Sequence, residues 1–274
     1  MAAPAAILIV GLNYAPEPVG IGPYTTGLAE ALAKRGHRVE VVAGKPYYPQ
    51  WRRDPAFAGS GWQPASEAGV RITRCPHYTP RDPGGLRRIL HLASFAAAAL
   101  VPALRARRPA VVVAIAPALL SVASAWLAAR RHGARLWIHV QDFEVEAALA
   151  TGLMARGPLA RLARATEGWL LRRGERVSAI SPQMCAKLID KGVAPARVLE
   201  LRNWADPRFA PDPAGAAALR RDWGLEGRTV ALYSGNIARK QGIEILVEAA
   251  RALCGRRDIV FVICRNAARN IAKV

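Results

Sequence analysis

Three loops carry residue types whose spacing suits chemistry on an anionic ligand. The first, "NYAPEPVGIGPYT" (residues 13–25), places three prolines and the glycines Gly20 and Gly22 directly after an apolar run at residues 5–11. It is not a P-loop, because no Gly-Lys-Ser/Thr follows. It is also a poor dinucleotide fingerprint: Gly20 lies nine residues past Gly11, and the second apolar run ends Ala43-Gly44-Lys45 with no acidic residue for a ribose. Two readings stand for Gly20, Ile21, Gly22 and Tyr24: backbone N–H groups offered to an anion at a helix N-terminus, or a turn that simply needs glycine. In the second loop, "WIHVQDFEVEAA" (137–148), His139 closes a strand and Asp142 and Glu144 sit in the following turn. A His and a carboxylate there could polarise a hydroxyl; alternatively Asp142 caps the next helix and His139 is a hydrogen-bonded core residue. The third, "LYSGNIARKQGIEILVEAA" (232–250), joins Gly235 and Asn236 to the cations Arg239 and Lys240, with Gly242 opening a helix. That combination suits a diphosphate, or a solvated basic turn.

The elements that must position these loops read as strands near 5–11, 38–43, 70–75, 110–116, 134–140, 175–180 and 197–201, most separated by helical stretches. Such alternation implies βαβ units and a parallel sheet with ligands at its carboxyl edge. Residues 24–35 read as the first helix, closed by Gly36, and "LRRILHLASFAAAALVPALRARR" from Leu86 as a long apolar helix with arginines at both ends. Between the second and third strands lies an irregular insertion with Tyr47, Tyr48, Trp51 and Trp62, which either meet a sugar or lipid or pin the loop to its own domain. Prolines cluster at 203–214, which reads as a linker between a first domain, 1–202, and a second, 215–274. The second has a strand at 229–234, a helix at 243–253 and a strand at 259–264; a doubly wound domain needs more strands, so it is expected to be cut short.

A formal charge of +19, from 33 Arg and 6 Lys against 20 acidic residues, favours a phosphate-rich or anionic partner without choosing one. No helix-turn-helix, zinc-finger or RNA-binding signature is present, so nucleic acid is not the expected partner. Cys75, Cys185, Cys254 and Cys264 are scattered and suggest neither a zinc site nor a disulfide framework. No basic segment precedes the first apolar run, so no signal peptide is expected. Residues 109–129 are apolar for about the length of a membrane span, but β-branched residues at the start and Pro117 in the middle favour strand, turn and buried helix.

In this order, "NYAPEPVGIGPYT", "PYYPQW", "ILHLASF", "HVQDFEVEAA", "SAISPQM", "RNWAD" and "LYSGNIARKQG" resemble the GT-B glycosyltransferases of family 4, especially the group for colanic acid and related exopolysaccharides. The resemblance implies an α/β fold with two Rossmann-like domains, the acceptor mainly on the first and a nucleotide sugar on the second. It implies that the loop through Gly20 and Gly22 borders acceptor and donor phosphate, and that Asp142, with His139, lies near the acceptor hydroxyl. It further implies that Gly235, Asn236, Arg239 and Lys240 hold the leaving diphosphate without a metal or other cofactor; no Asp-x-Asp occurs in the chain. The implied reaction retains anomeric configuration, and its acceptor is a glycan on a polyprenyl diphosphate at the inner face of a bacterial cytoplasmic membrane. GDP-fucose is one donor the resemblance suggests. Peripheral attachment to anionic lipid would use the arginine-flanked helix and the aromatic insertion.

The chain departs from the family after "FVIC", where Arg265-Asn266 stand in place of a glycine turn. The paired glutamates of E-x7-E are expected beyond residue 274; Glu167 and Glu175 share that spacing, and no role is carried over to them. A C-terminally truncated transferase is therefore the expectation, the alternative being a non-catalytic module that binds the acceptor or a partner.

Overall fold

The two most β-rich runs of the sequence, "AILIVG" and "VVVAIA", lie side by side at the centre of a sheet. The computed structural model describes residues 3–117, 119–150, 157–205, 210–235, 237, 241–265 and 270–273, and the chain divides into two units, Met1–Trp204 and Ala205–Val274.

The first unit begins with β1 (Ala6–Gly11), α1 (Gly22–Lys34), β2 (Arg38–Gly44), β3 (Gln63–Glu67), β4 (Val70–Cys75) and α2 (Gly85–Leu104). It continues with β5 (Val111–Ala116), α3 (Leu119–His132), β6 (Arg135–Val140), α4 (Glu144–Ala150), α5 (Pro158–Leu171), β7 (Arg176–Ala179), α6 (Pro182–Asp190) and β8 (Val198–Glu200). The strand order is β3-β4-β2-β1-β5-β6-β7-β8. All pairs are parallel except β3 with β4. From β1 the chain builds outward to β2 and β4, then crosses to β5 on the other side. The carboxyl ends of β1 and β5 therefore flank a crevice where the winding reverses, the usual ligand position in such sheets.

Alternate residues of these strands pack on opposite faces. Leu8, Val10, Val112 and Ala114 join Phe95, Ala99, Val122 and Ala125 in one core cluster; Ile7, Ile9, Val113 and Ile115 join Ala29, Val41 and Ile72 in another. Burial on both faces is why the runs are continuously apolar rather than alternating. Residues 109–129 resolve into β5, Pro117 and the start of α3. Helix α2 is long and apolar enough to cross a membrane by length and composition, with a mean hydropathy of 1.3. One face is buried through His91, Leu92, Phe95, Ala96, Ala99 and Ala103, and Ser124 of α3 donates to the Ala96 carbonyl at 2.8 Å.

Strand β3 lies inside the insertion that the sequence reads as irregular. It pairs Glu67 with Val70 across Ala68-Gly69, whose φ values of +50° and +79° make the two-residue hairpin turn that matches strand twist.

The second unit contains α7 (Pro213–Asp222), β9 (Thr229–Ser234), α8 (Ile243–Ala252), β10 (Ile259–Arg265) and β11 (Asn270–Lys273). Asp212 caps α7 by accepting from the Gly215 N–H at 2.9 Å. Strands β9 and β10 are parallel; β11, which the sequence pattern does not announce, is antiparallel to β10. Its core is small: Leu225, Val262 and Cys264 buried, with Trp223, Val230 and Val260 against them.

Candidate active site

The crevice is built from two loops clamped by one carboxylate. Glu17 lies in the loop after β1, only 5% exposed. Its Oε1 accepts from the backbone N–H groups of Tyr47 and Tyr48 at 2.9 and 3.0 Å, and its Oε2 from Asn13 Nδ2 at 2.7 Å. Burial pushes the Glu17 carboxyl up from its usual range, while the two backbone N–H groups, Asn13 and Arg74 pull the other way. Buried Arg74 donates to the Ala15 carbonyl and its guanidinium lies 5.2 Å from the centre of the Tyr14 ring. The Ala15 N–H donates to Thr26 Oγ1 at 2.8 Å, fastening the loop to α1.

The glycines have a steric reason here. Gly20 has φ +71°, and a Cβ on it would stand 3.3 Å from Tyr48 Cε1; a Cβ on Gly22 would stand 3.0 Å from the Glu17 carbonyl oxygen. Ile21 precedes α1, whose first turn holds Pro23, and Tyr24 packs edge-on against Trp204, ring centres 5.5 Å apart. Trp204 of "RNWAD" thereby folds the end of the first unit back onto α1.

At the reversal point a cavity of about 30 Å3 is lined by Asn13 and Ile21 of the first loop, Tyr47, Arg88, Ile115 and Pro117. Arg88, delivered by α2, places Nε and Nη2 at 3.1 and 3.0 Å from Oε1 of Glu144 at the start of α4. Burial, joined by the nearby Asp142 charge, raises the Glu144 carboxyl above its usual value against the pull of Arg88. Sequence reasoning missed Arg88 and Glu17. The available signal for Arg88 was an arginine one position from the start of the apolar run "ILHLASF"; Glu17 had none beyond its place in the proline loop.

Asp142 is exposed at the carboxyl edge of β6, while Phe143 and most of Glu144 turn inward. His139 is 3% exposed. Its Nδ1 lies 2.8 Å from Ser178 Oγ, which also accepts from Trp137 Nε1 at 2.8 Å, and its Nε2 lies 2.9 Å from the Gln141 amide nitrogen. The amide NH2 only donates, so Nε2 is the acceptor and Nδ1–H the donor. Burial holds this imidazole down at about 4. Both nitrogens are thus engaged within the fold, by Ser178 and Gln141, which is the hydrogen-bonded core reading of His139.

Most of the aromatic insertion is internal. Tyr47 is buried within 5.2 Å, ring centre to ring centre, of Trp51, His77 and His91. Trp62 is half exposed and donates Nε1 to the Ala98 carbonyl of α2 at 2.9 Å.

In the second unit, Gly235 directly follows β9, with its N–H on the Cys264 carbonyl at 3.1 Å. Gly242 precedes α8 with φ +62°, and Glu244 occupies the first turn. Asn236, Arg239 and Lys240 lie outside the described residues. Glu167 and Glu175 part company: Glu167 is buried with its carboxylate 2.6 Å from Lys191 Nζ, whereas Glu175 is exposed, 4.0 Å from Arg135. Among the described residues no three His, Cys, Asp or Glu side chains gather as a metal site.

Comparison with known proteins agrees with this architecture. A family model described as a glycosyl transferase 4-like domain matches residues 19–204. The colanic acid biosynthesis glycosyl transferase WcaI of Escherichia coli (strain K12) is 41% identical over 256 residues, covering 90% of this chain and 62% of WcaI. The alpha-D-kanosaminyltransferase of Streptomyces kanamyceticus is 35% identical over 106 residues, 37% of this chain and 28% of that protein. Among solved structures, Anabaena Alr3699/HepE in complex with UDP-glucose matches with a TM-score of 0.56 at 13% identity, over 95% of this chain and 69% of HepE. The apo lipopolysaccharide outer core galactosyltransferase WaaB matches with a TM-score of 0.51 at 12% identity, over 96% of this chain and 69% of WaaB. The chain thus spans about three fifths of WcaI's length, and its α/β architecture is that of the GT-B glycosyltransferases. With the family model matched from the proline-glycine loop through Trp204, the chain belongs to the glycosyl transferase 4-like family.

Proposed function

We propose that this chain serves in transfer of a sugar, with retained anomeric configuration, from a nucleotide sugar to a glycan on a polyprenyl diphosphate, in exopolysaccharide synthesis of the colanic acid kind. The carrying observation is the 41% identity to WcaI across 90% of the chain. HepE binds UDP-glucose on a related fold, which supports a nucleotide-sugar donor here.

Each residue then has a task. Asp142, exposed at the carboxyl edge, accepts a hydrogen bond from the attacking hydroxyl. His139 is a positioning residue that orients Gln141 beside it. The loop of Gly20, Ile21, Gly22 and Tyr24, held by Glu17, borders acceptor and donor phosphate. Gly235, Asn236, Arg239 and Lys240 receive the departing diphosphate, where negative charge builds as the glycosidic bond to phosphate breaks; fixed cations there stabilise it without a metal. The reaction takes place at the cytoplasmic face of the membrane.

The test incubates the full chain with a panel of UDP- and GDP-sugars, GDP-fucose first, and a polyprenyl-diphosphate-linked monosaccharide, reading product mass and anomeric configuration. A product of retained configuration supports the reading, and one of inverted configuration removes the retaining mechanism. Acceptor binding with no product from any donor favours a non-catalytic binding module instead.

A further inference from the structure

A second and larger cavity, of about 440 Å3, lies where the insertion after β2 meets the connection from β4 to α2. That volume falls in the range of about 300–1,000 Å3 typical of small-ligand sites. Its chemistry is cationic and aromatic: Arg52, Arg53 and Arg81 line it with Trp51, Tyr78 and Thr79. The one carboxylate in the wall, Asp54, accepts from the Ala56 N–H at 2.9 Å as the cap of a short turn. Arg53 uses Nη2 on the His77 carbonyl at 3.0 Å, but its Nε is buried without a partner, as is Thr79 Oγ1. Arg52 and Arg81 are exposed and have no ion-pair partner among the described residues. Three guanidinium groups, two of them uncommitted, with an orphaned hydroxyl are the donors a phosphate ester needs.

Two neighbours narrow the ligand further. Trp51 links the groove to the crevice through Arg88, whose guanidinium lies 5.3 Å from the centre of the Trp51 ring and itself lines the 30 Å3 cavity. On the other side, five residues after Arg81, α2 exposes Leu86 (75%), Ile89 (43%) and Leu90 (57%) at positions i, i+3 and i+4 of one helix face. An anion site whose wall residues Trp51 and Tyr78 touch α2, the helix that carries this uncovered apolar stripe, matches an amphiphile with a charged head and a hydrocarbon tail.

We infer that the groove of Arg52, Arg53, Thr79 and Arg81 binds the diphosphate of an isoprenyl diphosphate, with Leu86, Ile89 and Leu90 receiving the first isoprene units. This assignment rests on the lipid-linked acceptor proposed above and gives it a subsite outside the crevice. No bond is made or broken there.

Farnesyl diphosphate and inorganic pyrophosphate are titrated separately into the full chain and followed by calorimetry. Farnesyl diphosphate should bind at least about tenfold more tightly than pyrophosphate, because burying even a few methylene groups of the tail adds more than a decade of affinity. The R52Q/R81Q double variant should weaken both ligands by about tenfold or more. The L86S/L90S variant should weaken farnesyl diphosphate alone. All four positions are exposed, and an unchanged melting temperature excludes misfolding. Equal affinity of wild type and R52Q/R81Q overturns the site. Equal affinity for the two ligands overturns the lipid assignment and leaves a free-anion site. Sugar transfer to a soluble acceptor without farnesyl diphosphate binding removes the subsite and keeps the transferase; tight farnesyl diphosphate binding without transfer from any donor does the reverse.

Discussion

Replacing Glu17 with alanine removes the acceptor for three donors at once: the buried Tyr47 N–H, the half-buried Tyr48 N–H and Asn13 Nδ2. An orphaned buried donor costs about 1–3 kcal/mol, and the half-exposed Asn13 amide recovers much of its share from water. Glu17→Ala is therefore expected to destabilise the chain by roughly 3–5 kcal/mol. Glu17→Gln keeps a carbonyl oxygen for both backbone donors, and Asn13 can turn its own oxygen toward the new amide nitrogen, so the loss should be about 1 kcal/mol. Urea unfolding followed by tryptophan fluorescence measures both. The pH dependence supplies a second readout. Burial raises the folded carboxyl above its usual 4.5, so between 4.5 and the raised value the folded state holds more protons than the unfolded. Stability from this group then falls as pH rises through that window and is flat above it. Wild type should gain on Glu17→Gln as pH is lowered from 7 toward 4.5. Losses for the alanine and glutamine variants within about 0.5 kcal/mol of each other, a difference at the level of additivity error, would refute the clamp.

A Cβ on Gly44 would stand 2.8 Å from Leu12 Cδ1 and 2.9 Å from the Leu12 carbonyl oxygen, so Gly44→Ala should cost about 1–3 kcal/mol in urea unfolding. Buried Glu167 and exposed Glu175 should separate just as clearly: Glu167→Gln leaves Lys191 with Glu146, 3.0 Å away, as its remaining carboxylate and should cost about 1–2 kcal/mol, whereas Glu175→Gln should change stability by under about 0.5 kcal/mol. Neither substitution should alter nucleotide-sugar affinity by calorimetry, as a donor role for the pair would require. His139, held at about 4 against an unfolded 6.5, makes the unfolded state bind more protons between those values, so stability should fall on acidification from 6.5 to 4, by about 3 kcal/mol in total. His139→Gln should flatten that slope relative to wild type when melting is followed across the range. Limited proteolysis should remove the second unit, whose described residues include a small core cluster around Leu225, Val262 and Cys264, and leave residues 1–204 resistant; equal protection would show that its strands are better held than its core suggests.

Strands buried on both faces were legible because β-branched runs such as "ILIV" and "VVVAIA" have few alternatives. Strand β3 was not, since "QPASE" has no apolar face and its turn places Ala68 at a positive φ that alanine seldom adopts. At the site, the glycines announced a special loop, but not why: Gly20 answers to the Tyr48 ring and Gly22 to the Glu17 carbonyl, contacts that depend on the fold. Glu17 reaches Tyr47 across 30 residues, and His139 meets Ser178 across 39, so neither partnership has a local signature. Asp142 and Glu144 are two residues apart and chemically alike in sequence; only the turn into α4 decides which is exposed and which faces Arg88.

That turn decides which of the two carboxylates is exposed. The cavity beside Arg88, about 30 Å3, is the space of roughly one water molecule, and Glu144 behind it is already committed to Arg88. A hexose cannot enter without displacing Tyr47 or Arg88, each fixed by aromatic packing on the other side. Under the proposed function an acceptor sugar therefore stays outside this cavity, and exposed Asp142 rather than Glu144 is the carboxylate its hydroxyl would meet. Glu17 is engaged by the Tyr47 and Tyr48 N–H groups and Glu144 by Arg88, so neither carboxylate is free for a hydroxyl.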